Sequence, residues 1–169
     1  MQHDSGNQTL EILVQEAQQQ RKLLLDVLRK VRLLSESEKY AGNIALLRTV
    51  PGIGLITAIT FLTEIENIER FVNTDHLAGF VGLVPNYHSS GEKSNNGEMT
   101  FRGQKALRRS LIESSWFAAR FDPALTLSFN SYIKRMEPNK AIVRIARKLL
   151  NRIYFVLKKN MEYVPGVVK

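Results

Sequence analysis

No cysteine occurs anywhere in the chain, so disulfide staples, thiolate nucleophiles and cysteine-ligated zinc are all excluded. Histidine is nearly as scarce: His3, His76 and His88 are scattered without ligand spacing, so a metal would have to be held by carboxylates or by another domain. Long apolar runs are missing too. No stretch is long enough to cross a bilayer, and the opening M-Q-H-D-S-G-N-Q has neither the basic flank nor the apolar core of an export signal. These absences predict a cytoplasmic protein with no membrane partner. Neither G-x-S-x-G nor a Ser/His/Asp spacing of hydrolase type is present, which leaves ester and peptide hydrolysis unsupported.

What is there fits an ordinary globular protein: 44% hydrophobic and 24% charged residues exclude a disordered chain, and 169 residues suffice for one core plus a protruding element. The net charge of +8 is unevenly placed. Residues 102–159 hold fourteen Lys/Arg against three Asp/Glu, an excess of +11, whereas residues 1–48 carry +1 and residues 49–101 carry −4. A positive field confined to one third of a domain is the footprint of a surface facing a polyanion, although basic helices also occur as plain solvated faces.

From Leu10 to Leu34 apolar residues recur at threes and fours with no Gly or Pro between, predicting a long amphipathic helix, frayed at its glutamine-rich middle. Leu10, Leu13, Ala17, Gln20, Leu24, Val27, Val31 and Leu34 keep the alternating spacing of a coiled-coil seam. Such a helix either pairs with a second copy or an adjoining domain, making a homo-oligomer, or lays its stripe on the downstream helices. Ser35-Glu36-Ser37-Glu38 ends the pattern and is read as opening a short helix.

In L-L-R-T-V-P-G-I-G-L-I-T-A, one helix should end before Pro51 and a second begin after Gly54, a helix–hairpin–helix pattern. Gly52 and Gly54 would let backbone N–H groups face outward, where they could hold a phosphate. Asn73 or Thr74 should cap a helix that stops near Gly82. Residues 86–102, with Gly91, Ser94, Asn95, Asn96 and Gly97, read as an irregular β-hairpin or open loop. Three helices should follow, over Gln104–Ala119, Pro123–Arg135 and Asn139–Lys159. The last carries Ala141, Ile142, Ile145, Leu149, Ile153 and Val156 on one face and Arg144, Arg147 and Lys148 on others. The expected fold is mainly α.

The loop H-S-S-G-E-K-S-N-N-G, residues 88–97, poses the chemical question, since a serine hydroxyl attacks only when a base takes its proton and cations shield the target. Lys93, Arg102, Lys105, Arg108 and Arg109 lie in or just after it, and guanidinium forks suit phosphate oxygens. His88 is able to accept a proton, but an exposed loop histidine ordinarily has no chemical role. On the residues alone, a mobile connector is the commoner outcome.

Taken in order, L-x-x-V-P-G-I-G-x-x-T-A, R-F-x-x-x-D-x-L-A-G-F-V-G-L-V-P, S-S-G and T-F-R-G-Q-K-A-L-R-R-S-L resemble the C-terminal half of DEDD-type insertion-sequence transposases. These form the IS one-ten and one-sixteen group, which includes the pilin-gene invertase, and their C-terminal half is the transposase-20 domain. The resemblance covers about Leu46 to Arg120. It implies a site-specific DNA recombinase, with DNA and a structured guide RNA as partners. It also implies an N-terminal acidic domain holding magnesium and a serine of the S-G motif that forms a 5′-phosphoserine link. That serine would be Ser90, with Ser89 as the alternative. On this reading residues 1–40 are the coiled-coil helix and residues 41–169 the DNA-binding, serine-bearing domain. The acidic domain is missing from the sequence, so the chain reads as a C-terminal fragment, inactive alone and without a cofactor of its own. Where the family has Ser/Thr–Lys–x–Gly–Asn, this sequence has Thr100, Phe101, Arg102, Gly103 and Gln104, so Arg102 stands in for the lysine. A nucleic-acid-binding and dimerisation module without chemistry is the alternative expectation.

Overall fold

In a computed structural model of the chain, residues 2–90, 93–99 and 102–166 are described, with side chains for 6–84 and 102–166. Among them the order is α1 (Gln2–Ser35), α2 (Ala41–Arg48), α3 (Leu55–Ile65), α4 (Thr74–Val81), β1 (Pro85–Ser90), β2 (Lys93–Met99), α5 (Lys105–Phe121), α6 (Pro123–Ile133) and α7 (Pro138–Lys159). A 3-10 turn, Ile68–Arg70, precedes α4. The fold is mainly α, as the periodicities predict, and no described helix is long and apolar enough to cross a membrane.

The core forms around α7. Its inward face, including Ala141, Ile142, Ile145, Leu149, Ile153 and Val156, is buried, and α2, α4, α5 and α6 pack against it. Leu47 and Ile44 of α2, Phe61 and Leu62 of α3, Leu77 of α4 and Leu107 and Leu111 of α5 complete one cluster. Where α3 meets α5 the contact is polar and small. The Ser110 hydroxyl donates to the Thr57 hydroxyl at 3.2 Å, and Thr57 lies 3.3 Å from the Ser114 hydroxyl.

Two features of the N-terminal third differ from expectation. The glutamine-rich middle of α1 is continuous helix, and residues 36–40 form a turn before α2 begins at Ala41. The reason lies in Ser35 and Ser37, whose hydroxyls donate back to the Arg32 and Leu34 carbonyls, each at 2.6 Å. Serines bonded backward close a helix; they do not cap the next one. Along α1 the seam residues Leu10, Leu13, Leu24, Val27 and Leu34 stay exposed, while near its end Leu28 and Val31 are half-buried, Ser35 is buried and Val31 packs against the core. Packing of the stripe onto the downstream helices therefore holds only for the last turns of α1.

The C-terminal tail is tied to the helices by one ionised group. Asp122 caps α6, accepting from the Leu125 N–H at 3.0 Å, with Pro123 in the first turn. Its carboxylate also receives the Arg152 guanidinium at 3.0 Å and the Tyr163 hydroxyl at 2.5 Å. The Tyr163 N–H donates in turn to the Thr49 hydroxyl at 2.8 Å, joining the tail to the end of α2. Burial pushes the Asp122 carboxyl up, but the hydrogen bonds from Tyr163 and Leu125 and the Arg152 charge outweigh it and hold the group below its ordinary value of 3.8. Burial and the bond to Asp122 push the Tyr163 hydroxyl upward.

A carboxyl held below its unfolded value stabilises the fold above that value and loses its contribution as the pH falls through the lowered one. Urea unfolding between about pH 6 and about pH 2 should therefore lose stability below the ordinary 3.8. Asp122→Asn should cost about 3 kcal/mol at neutral pH and flatten that acid limb, because it leaves Arg152 with no carboxylate. An unchanged limb in the variant would contradict the assignment.

Candidate nucleic-acid interface

The serine loop is an antiparallel hairpin. Pro85 pairs with Met99, Tyr87 with Asn96, His88 with Asn95, Ser89 with Ser94 and Ser90 with Lys93, and the register shifts between Pro85 and Tyr87. Ser90 is thus the last residue of β1, opposite the first residue of β2. The side chains of His88, Ser89, Ser90 and Lys93, and the whole of Gly91 and Phe101, lie outside the described residues.

What is described is the neck from which the hairpin springs. Gly82 ends α4 in the left-handed region, with φ of 82°, its N–H bonded to Ala78 and Gly79. Gly103, with φ of 104°, lies directly against it: a Cβ on Gly103 would come within 2.7 Å of the Gly82 nitrogen, and one on Gly82 within 2.4 Å of the Arg102 carbonyl oxygen. The Gln104 N–H donates to the Phe80 carbonyl at 3.2 Å just beyond the crossing. Positive φ and backbone-to-backbone contact each require glycine here.

Two of the cations picked from the sequence build this neck. Arg108 donates to the Gly82 carbonyl at 3.3 Å. Arg147 donates to the Leu83 carbonyl at 3.1 Å and to Asp75 at 2.6 Å. They fix the residues that lead into β1, a positioning role that charge counting did not reveal. Arg102 is exposed beside Gly103. Lys105 and Arg109 are also exposed, Arg109 bonding Glu113 at 3.0 Å, and with Arg108, Ile112 and Glu113 they line a shallow cleft of about 350 Å³.

Arg144 and Lys148 lie further off on α7, with Arg144 5.5 Å from the Tyr132 ring centroid and so directed to α6. The predicted cations thus divide between β2, which begins at Lys93, the neck, the first turns of α5 and the α6–α7 face.

The Pro51–Gly54 turn connects α2 and α3 as the sequence pattern requires, but its two glycines differ. Gly52, at φ of 88°, lies against α5, where a Cβ would meet the Ser114 carbonyl oxygen at 2.4 Å. Its glycine requirement is explained by packing. Gly54 is exposed with nothing within 4 Å of a Cβ, and it precedes α3 without a side-chain cap. Among the described residues no three His, Cys, Asp or Glu side chains come together to hold a metal.

Residues 44–129 match the family described as transposase IS116/IS110/IS902. The chain is similar to the pilin gene-inverting protein of Moraxella bovis, at 35% identity over 131 residues, covering 70% of this chain and 38% of that protein. It is also similar to the transposase for insertion sequence element IS1111A of Coxiella burnetii, at 31% identity, covering 70% of this chain and 34% of that one. The chain therefore spans under two fifths of the length of these relatives.

Gly103→Ala should cost about 2–3 kcal/mol through left-handed strain and the clash with Gly82. Gly79→Ala, one turn back on an exposed face of α4 with open space, should be neutral or stabilising by up to about 1 kcal/mol. Chemical denaturation compares the two, and equal effects would contradict a glycine-dependent neck.

Proposed function

Because the chain belongs to the IS116/IS110/IS902 transposase family, we propose that it is the DNA-binding, serine-bearing part of a transposase that recombines DNA through a phosphoserine link. The observation that carries this reading is the hairpin ending β1 at Ser90, rooted in the Gly82–Gly103 crossing and followed at once by the exposed Lys105 and Arg109 of α5.

The chemistry follows from the residue types. The Ser90 hydroxyl attacks the phosphorus of a DNA strand, its Oγ–P bond forms and the bond to the 3′ oxygen breaks. The result is a free 3′-hydroxyl and a 5′-phosphoserine. The serine proton passes to a base and the departing 3′ oxygen takes one up. Ser89 is the alternative nucleophile; both serines follow His88 on β1. Lys105, Arg109 and the exposed Arg102, with Lys93 opposite Ser90, supply cationic donors for the developing charge. Gly54, Arg144 and Lys148 extend the contact along the phosphate backbone, and α1 presents its exposed leucines to a second copy. A structured RNA is the further partner that the family resemblance suggests. The magnesium that the family resemblance implies would be held by the remaining part of the full-length protein.

In the full-length protein, Ser90→Ala combined with Ser89→Ala should reduce covalent protein–DNA adducts by about 10³-fold or more, read by denaturing electrophoresis after nuclease digestion. Adducts at the parental level would leave a binding module without chemistry. Lys105→Ala with Arg109→Ala should leave the fold intact and lower the salt dependence of duplex binding, by a slope of about 0.9 per lost phosphate contact. Deleting residues 2–34 should convert a paired species to a single chain in sedimentation; an unchanged species would remove α1 from the assembly.

A further inference from the structure

A second surface, away from the hairpin, leaves aromatic rings in solvent. On α5, Trp116, Phe117 and Phe121 are 36%, 54% and 60% exposed. Phe117 and Phe121 stack on each other, centroids 4.2 Å apart and planes 24° from parallel, so their contact is with each other and not with the core. Trp116 meets Phe129 of α6 edge-on at 5.7 Å. One turn along α6 from Phe129 is Tyr132, whose ring lies beneath the Arg144 guanidinium. The rings thus run from α5 across α6 to a cation on α7.

Arg120 stands within this group, four residues from Trp116 and three from Phe117, so helical geometry makes it a neighbour of both. It is exposed and has no hydrogen-bond or ion-pair partner among the described residues. Exposed apolar clusters of this kind are covered in use. An apolar protein surface, such as the leucine stripe of α1, would have to strip water from Arg120 at the centre of the patch, and interface cores are depleted of charge for that reason. An unpaired nucleic-acid strand satisfies both kinds of group at once. Its bases offer π faces to the rings and its phosphates take the guanidinium. A duplex keeps its bases stacked inside and offers the rings nothing.

We infer that the Trp116–Phe117–Arg120–Phe121 face of α5, backed by the half-buried Phe129 and Tyr132, is a stacking platform for a single-stranded nucleic acid. The inference rests on the nucleic-acid reading above and adds the strand state that this face recognises. Stacking on Phe117 and Phe121 is sequence-tolerant, since phenylalanine rings carry no hydrogen-bonding group to read a base.

The test is fluorescence anisotropy with the 169-residue chain, using dT and U oligonucleotides of about 15 residues and a duplex of the same length. Phe117→Ala with Phe121→Ala should weaken single-strand binding by about tenfold or more and change duplex binding by less than about twofold. Phe117→Trp, which keeps a stacking ring, should retain single-strand affinity. A preference for dT identifies the strand as DNA and one for U as RNA; either supports the platform. Unchanged single-strand affinity in the double variant overturns the proposal, as does a parent chain that binds only duplex, and in both cases the DNA-binding reading stands. Failure to bind any of the three probes overturns both. A double variant that instead changes the sedimentation of the chain marks the face as a contact between protein chains and overturns the platform.

Discussion

Two glycines in backbone contact hold the molecule's chemically interesting segment. Gly82 and Gly103 cross so closely that neither tolerates a Cβ, and both sit in the left-handed region. Everything between them, the hairpin with Ser89 and Ser90 included, enters and leaves through this one point. The helices on either side both reach the core, with Leu77, Ala78 and Val81 of α4 and Leu107 and Leu111 of α5 all buried. The hairpin is therefore anchored between two helices of the core, which suits the proposed role of a nucleophile that has to meet a phosphorus atom at a defined place.

The same crossing explains why the basic surplus is not all available to a ligand. Arg108 and Arg147 turn inward to the carbonyls of Gly82 and Leu83, and Arg152 joins Asp122 and Tyr163. Backbone carbonyls at the neck and a buried carboxylate at the α6 cap need cationic donors, and arginine's fork meets several at once. Lys105, Arg109, Arg120 and Arg144 remain exposed for contact with an anion. The local excess of +11 therefore overstates the number of charges that stand exposed to a polyanion.

Periodicity made much of this architecture legible. The six residues assigned to the inner face of α7 are all buried, Asn73 caps α4 and Gly82 ends it. What could not be read was any contact between residues distant in sequence. Gly82 and Gly103 each look like ordinary helix punctuation until the fold brings them together. Gly52, expected for its outward N–H group, also packs on α5, a contact the sequence does not show. Asp122 did carry a local signal, a capping residue directly before proline, though nothing in the sequence tied it to Tyr163. The exposed rings of α5 had the spacing of a core stripe, and only burial separates Phe117 from Leu111.

The central claim is that the glycine crossing aims the serine hairpin at DNA. Adduct formation by a full-length protein carrying Gly103→Ala, assayed at a temperature where circular dichroism shows it folded, tests this most directly. The account predicts adducts reduced by about 10²-fold with duplex affinity within about twofold of the parent, since misplacing a reacting group by an ångström costs on that order. Adducts formed at the parental rate would contradict it.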